Sequence, residues 1–136
     1  MTNLEYALSY LKAGLSVFPL KTQSKKPAID SWKPYQERKP TEYELRAWWK
    51  ENPDYGIAIV TGAVSGDLLV LDCDPRHGDQ ESLEAAGLMP ACPIVRTGGG
   101  GQHYYFKGVS PCKTAIAPGL DIKGEGGYVV APPSLH

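Results

Sequence analysis

Nowhere does this sequence hold an apolar run near the ~20 residues that a membrane-spanning helix needs, and its first residues lack the basic stretch and apolar core of an export signal. The expectation is a cytoplasmic protein without a membrane partner. Cysteine is scarce. Cys73, Cys92 and Cys112 are odd in number, irregularly spaced and form no CxxC pair, which argues against a disulfide framework. The same spacing disfavours a zinc site, even one completed by His77 or His136, so zinc is not expected and the thiols read as buried and free. There is no excess of charge of either sign, with 14 basic and 15 acidic residues and a net charge of −1. That balance argues against a domain that grips nucleic acid strongly by phosphate neutralisation alone, and leaves room for weak binding or help from a tethered partner. Internal repeats, linkers and low-complexity tracts are also missing.

What is present describes one soluble domain over residues 1–136. The chain has 136 residues, 42% of them hydrophobic and 21% charged, enough to bury a core without staples. Leu4, Ala7, Leu8 and Leu11 recur at helical spacing after Asn3, a candidate N-cap, and Gly14 is the matching stop. A short strand through Val17 and Phe18 is expected to end at Pro19. Lys21 to Pro40 has the Lys, Pro and Ser content of a surface loop, anchored by Trp32. Within it the pair Lys25 and Lys26 reads as a solvated loop or as a contact for a nucleic-acid backbone. Thr41 and Glu44 form a capping box for a second helix whose apolar face is Leu45, Trp48 and Trp49. The two tryptophans read as core rather than as a base-stacking platform.

Strand signals follow at Ile57 to Thr61, Leu68 to Cys73, Ile94 to Thr97, Gln102 to Phe106, Leu120 to Ile122 and Tyr128 to Ala131. One helix interrupts them, near Gln80 to Ala86. Many strands and few helices predict an α+β fold, a mixed and mainly antiparallel sheet with helices packed on it.

Three segments carry chemistry. In LDCD, Asp72 and Asp74 share one strand face and Leu71 and Cys73 the other. In GGGGQHYYF, His103 alternates with Tyr104 and shares a strand with Gln102, just after Gly101. In GLDIKG, Asp121 stands between Leu120 and Ile122. Each strand is expected to bury its apolar residues on one side and offer its polar residues on the other. Three carboxylates and a histidine then suit a metal-dependent phosphoryl-transfer site, because hard divalent cations prefer oxygen ligands. Bland readings stand beside these: DxD as a turn starter before PRHG, the glycines as a hairpin turn, His103 as an ordinary strand residue and Asp121 as a solvated one. The glycines precede a strand rather than a helix, so they form neither a P-loop nor a Rossmann turn.

The order and spacing of LDCD, GGGGQHYYF and GLDIKGEGGYVVAPPS resembles the primase-polymerase domain of the archaeo-eukaryotic primase superfamily, found at the N-terminus of plasmid and phage replication proteins. AGLSVFPLKTQSKKPAI, a following Trp, a helix carrying WW, and GIAIVTG extend the resemblance over nearly the whole chain. It implies an archaeo-eukaryotic primase-like core, with Asp72, Asp74 and Asp121 holding two Mg2+ or Mn2+ ions. It implies that His103 contacts the nucleotide phosphates, with Gly101 and Gln102 beside it. Lys123 and Arg96 are further triphosphate candidates by charge and proximity rather than by motif. The chain stops at His136, where the family continues past a PPS segment, so a domain trimmed at its C-terminal end is expected.

The function implied is a template-directed nucleotidyltransferase, a DNA primase, DNA polymerase or both. Its expected partners are nucleoside triphosphates, a single-stranded DNA template and a helicase domain or protein. Two alternatives stay open: a non-catalytic nucleotide or nucleic-acid binding module of a larger replication protein, and a metal-dependent nuclease or phosphohydrolase.

Overall fold

Two capping boxes begin the two α-helices found among the described residues. In the computed structural model, which describes residues 2–73, 94–96, 102–107, 113–117 and 120–132, helix α1 (Asn3–Lys12) is capped by Thr2. Its hydroxyl accepts from the Glu5 amide while the Glu5 carboxylate accepts from the Thr2 amide. The cap therefore lies one residue before Asn3, because a reciprocal pair needs a hydroxyl and a glutamate three apart. Asn3 instead donates its side-chain amide to the Tyr55 carbonyl at 3.0 Å. At the other end Ala13 is the C-cap and Gly14 follows it at φ +95°. The Leu15 and Gly14 amides donate back to the carbonyls of Tyr10 and Leu11. That pairing is a Schellman closure, which requires the left-handed residue that glycine supplies.

Strand β1 (Ser16–Leu20) runs through Pro19 rather than ending there. It is an edge strand of its sheet, pairing with β2 (Gly56–Val60) alone among the described strands, and a proline costs no ladder bond on an open edge. Helix α2 (Glu42–Glu51) is capped as expected by Thr41 and Glu44. Strand β2 then pairs with β8 (Tyr128–Ala131), giving a three-stranded antiparallel sheet in the order β1-β2-β8. The second sheet has the order β4-β5-β3-β7-β6, from β3 (Leu68–Cys73), β4 (Ile94–Arg96), β5 (Gln102–Lys107), β6 (Lys113–Ala117) and β7 (Leu120–Lys123). Every described pairing is antiparallel. Strand β6 has no counterpart among the expected strands: KTAIA offers no strict alternation, and its pairing with β7 shifts register between Lys113 and Ala117. The expected helix near Gln80 to Ala86 lies outside the described residues.

Both faces of the three-stranded sheet are covered. Val17, Ile57, Ile59, Val129 and Ala131 pack with Ala7 of α1, Leu45 and Trp49 of α2, and Leu68 and Val70 of β3. On the other face Phe18, Leu20, Ala58 and Val60 meet Tyr35 and the loop before α2. There Trp32 stacks on Phe18 with ring centroids 5.4 Å apart and meets the edge of Tyr128 at 4.8 Å, the anchoring expected of it. This two-sided burial explains why β1 and β2 read as near-continuous apolar runs.

Glu44 does more than cap. It accepts the Tyr35 hydroxyl at 2.7 Å and pairs with Arg38 at 2.9 Å, tying the loop to the start of α2. The Arg38 hydrogen bond, helped by those from Tyr35 and Thr41, holds its carboxyl down at about 2 from an ordinary 4.5. Burial opposes the shift without cancelling it. A depressed carboxyl stabilises the fold above its unfolded pKa, and that contribution fades as pH falls from about 4.5 towards 2. Urea denaturation at pH 7 and pH 3 is expected to show Glu44→Gln costing about 1 kcal/mol at neutral pH and less at pH 3. An equal cost at both values would remove the carboxylate from this account.

Candidate active site

The central strand of the five-stranded sheet sets the geometry. β3 lies between β5 and β7, and its register places Asp72 opposite His103 on one side and opposite Asp121 on the other. Residues directly opposite in antiparallel strands share a sheet face, with Cβ atoms roughly 4.5–5.5 Å apart. His103, Asp72 and Asp121 therefore form one row across three strands, with Asp72 in the middle. Val95 of β4 lies opposite His103 and extends the row.

The remaining candidates divide. Lys123 is two residues along β7 from Asp121 and opposite Val70, so it belongs to the same face. Gln102 lies opposite Cys73 and Arg96, one residue out of step, so Gln102 and Arg96 belong to the other face. Asp74 and Gly101 lie outside the described residues.

The covered face of β3 is seen in its first half. Leu68 and Val70, of the same parity as Asp72, are packed in the core, whereas Leu69 is half-buried. In this first half of β3 the buried side is thus that of Leu68 and Val70. The cause is tertiary: α1 and the three-stranded sheet cover the Leu68 and Val70 side. Asp72 follows Val70 by two residues and shares its parity.

Two crossovers join the sheets, and they are stitched together. After β2 the chain turns through Thr61 to Asp67 into β3, closed by Gly62 and Leu68 exchanging backbone hydrogen bonds at 2.8 and 3.2 Å. After β7 it turns through Gly124 to Gly127 into β8. The Thr61 hydroxyl donates to the Gly124 carbonyl, and the Thr61 amide donates to the Gly127 carbonyl at 3.0 Å. The Glu125 carboxylate accepts from the Ala63 amide. These contacts hold the end of the Asp121 strand against the start of the Asp72 strand. Thr61, Gly62 and Glu125 were not among the residues singled out from the sequence. Their only local signal is glycine punctuation in VTG and GEGG.

Two aspartates opposite one another on adjacent strands are the residue type that a hard divalent cation prefers, and Cys73 belongs to the opposite parity. Among the described residues no group of three or more His, Cys, Asp or Glu is assembled to hold a metal ion. The row rests on backbone register. No helix among the described residues is long and apolar enough to cross a membrane.

A search of curated proteins found no match. A family model does match, over residues 7–136, that of the bifunctional DNA primase/polymerase N-terminal domain. The match includes both helices in whole or part, both sheets and every member of the row. On that coverage the chain belongs to the Prim-Pol family, the N-terminal domain of bifunctional DNA primase/polymerases.

Proposed function

We propose that this chain is a template-directed nucleotidyltransferase that makes or extends primers from nucleoside triphosphates in plasmid or phage DNA replication. The observation that carries the reading is the single row of His103, Asp72 and Asp121 across β5, β3 and β7. Family membership supplies the coarser statement, DNA primase/polymerase.

Asp72 and Asp121, with Asp74 two residues beyond Asp72 in the sequence, would hold Mg2+ or Mn2+. When bound, two such ions would supply charge neutralisation at the transferring phosphoryl group and a lower pKa for the attacking 3′-hydroxyl. The chain's own residues do the rest. The β3 register, with Asp72 opposite both His103 and Asp121, sets the two aspartates in line with the histidine. His103 leaves the glycine run and contacts the triphosphate, which glycines without Cβ atoms allow to approach the backbone. Lys123 shares the parity of the row and is the favoured cation for the phosphates, and Arg96 and Gln102 are assigned a lesser part by their opposite parity.

Calorimetric titration of a nucleoside triphosphate with Mn2+ tests this before any turnover is sought. Wild-type protein is expected to bind, and Asp72→Ala/Asp121→Ala to bind at least tenfold more weakly, with chelation of the metal reproducing the loss. Undiminished binding by the double variant would place the nucleotide elsewhere. Binding without incorporation by the wild type would make the chain a nucleotide-binding module instead.

A further inference from the structure

The charge balance of the whole chain conceals a strong local excess. Residues 21–39 hold six basic residues, Lys21, Lys25, Lys26, Lys33, Arg38 and Lys39, against Asp30 and Glu37, a net +4 in a chain of net −1. Arg38 is occupied by Glu44. Lys21, Lys25 and Lys26 are exposed and enter no ion pair among the described residues.

These three lysines stand on a built turn. The Lys21 amide donates to the Lys26 carbonyl at 2.9 Å, the Ser24 amide to the Lys21 carbonyl at 3.1 Å, and the Lys26 amide to the Ser24 hydroxyl at 3.0 Å. Gln23 takes a left-handed conformation, φ +53°, to close it. The base is pinned by a bridge between Leu20 and Pro27 and by the Ala28 amide on the Pro19 carbonyl at 2.9 Å. The Thr22 hydroxyl reaches the Asp54 carbonyl at 3.3 Å. The Tyr128 hydroxyl donates to the Lys25 carbonyl at 2.9 Å, and the Tyr128 ring packs against the half-buried Trp32, whose neighbour Lys33 is exposed. Lysine stems thus rise from fixed backbone beside an aromatic cluster, the combination that follows a single-stranded nucleic-acid backbone.

We propose that the Lys21–Lys26 turn is a contact surface for the phosphate backbone of single-stranded DNA, supplying affinity that the near-neutral net charge of the chain does not. The inference rests on the polymerase reading for its partner, but on different residues. Contacts of this kind are sequence-independent and salt-dependent, because each neutralised phosphate releases counterions.

The test is fluorescence anisotropy of labelled oligo-dT and of a mixed-sequence strand, over a range of salt, with wild type and Lys21→Ala/Lys25→Ala/Lys26→Ala. Lys12→Ala/Lys50→Ala is the control at two helix ends. The turn variant is expected to bind both strands more weakly and to lower the salt slope of log K by about two, roughly 0.7 for each phosphate that the three lysines neutralise. Its thermal midpoint and its binding of nucleoside triphosphate with Mn2+ are expected to stay as in wild type, and the control to match wild type throughout. Unchanged DNA affinity and slope overturn the proposal, as does wild type that binds no single strand. Loss of triphosphate binding with DNA binding intact also overturns it, by assigning the turn to the nucleotide. Failure of the Asp72 and Asp121 variants to alter nucleotide binding sinks the polymerase site while leaving the anisotropy result to be judged separately.

Discussion

Asparagine at position 72 or 121 is expected to reduce nucleotide incorporation on a primed template by roughly a thousandfold, with the unfolding midpoint within a few degrees of wild type. The substitution keeps the volume and shape of the side chain and removes its charge, so the change isolates metal binding from packing. Loss of a carboxylate ligand forfeits several kcal/mol of transition-state stabilisation, and each 1.4 kcal/mol is about tenfold in rate. Asp72 should be the more sensitive, since it lies opposite both His103 and Asp121, whereas Asp121 has the β3 residue on one side and the register-shifted β6 on the other. His103→Ala is expected to act differently, raising KM for the nucleotide more than it lowers kcat, because its assigned partner is the bound triphosphate. Incorporation above a tenth of wild type in Asp72→Asn would remove the row from catalysis.

A second large effect is expected at a position with no chemistry of its own. Gly62→Ala should cost about 3 kcal/mol of stability, a large share of the roughly 5–15 kcal/mol that holds a domain folded. Gly62 has φ +95° and ψ −160°, a region almost closed to other residues and worth about 1–3 kcal/mol of strain. A Cβ there would stand 2.7 Å from the Glu125 carboxylate and 3.0 Å from the Glu125 Cα. Glu125 would have to move, and its bond from the Ala63 amide would go with it. Gly66 provides the comparison: it too has positive φ, +73°, but a Cβ there meets nothing within 4 Å. Gly66→Ala should therefore cost only about 1 kcal/mol, the left-handed strain alone. Urea denaturation of the two variants decides the matter, and equal costs would mean that the stitched crossovers contribute little. Because this corner holds β7 to the entry of β3, incorporation should also fall in Gly62→Ala well below the unfolding temperature.

Several features were legible from local chemistry. The Thr41 and Glu44 capping box, the core role of Leu45 and Trp49, and the Trp32 anchor need only neighbours a few residues away or one buried surface. The start of α1 was misplaced by one residue because Asn3 and Thr2 are both good caps. The choice falls to Thr2 through Glu5, and Asn3 is drawn off by Tyr55, 52 residues away in the chain. Pro19 read as a strand end because its sequence neighbours do not say that β1 is an edge. Strand β6 was missed because KTAIA carries no alternation, and its existence depends on β7 beside it.

For the candidate site, alternation along each strand was determined by the sequence itself, since successive residues must take opposite faces of a pleated strand whatever surrounds them. The separation of Asp72 from Leu71 and Cys73, and of His103 from Gln102, follows from that alone. Three matters were left to the tertiary structure: the division of the strands into two sheets, the register that sets His103 and Asp121 against Asp72, and the face that turns inward in the first half of β3. Register is a relation between segments tens of residues apart, and a slip of one residue in any of the three strands would have dispersed the row. The inward face was decided by what covers it, for Leu68 and Val70 are buried by α1 and a sheet whose strands come from both ends of the chain.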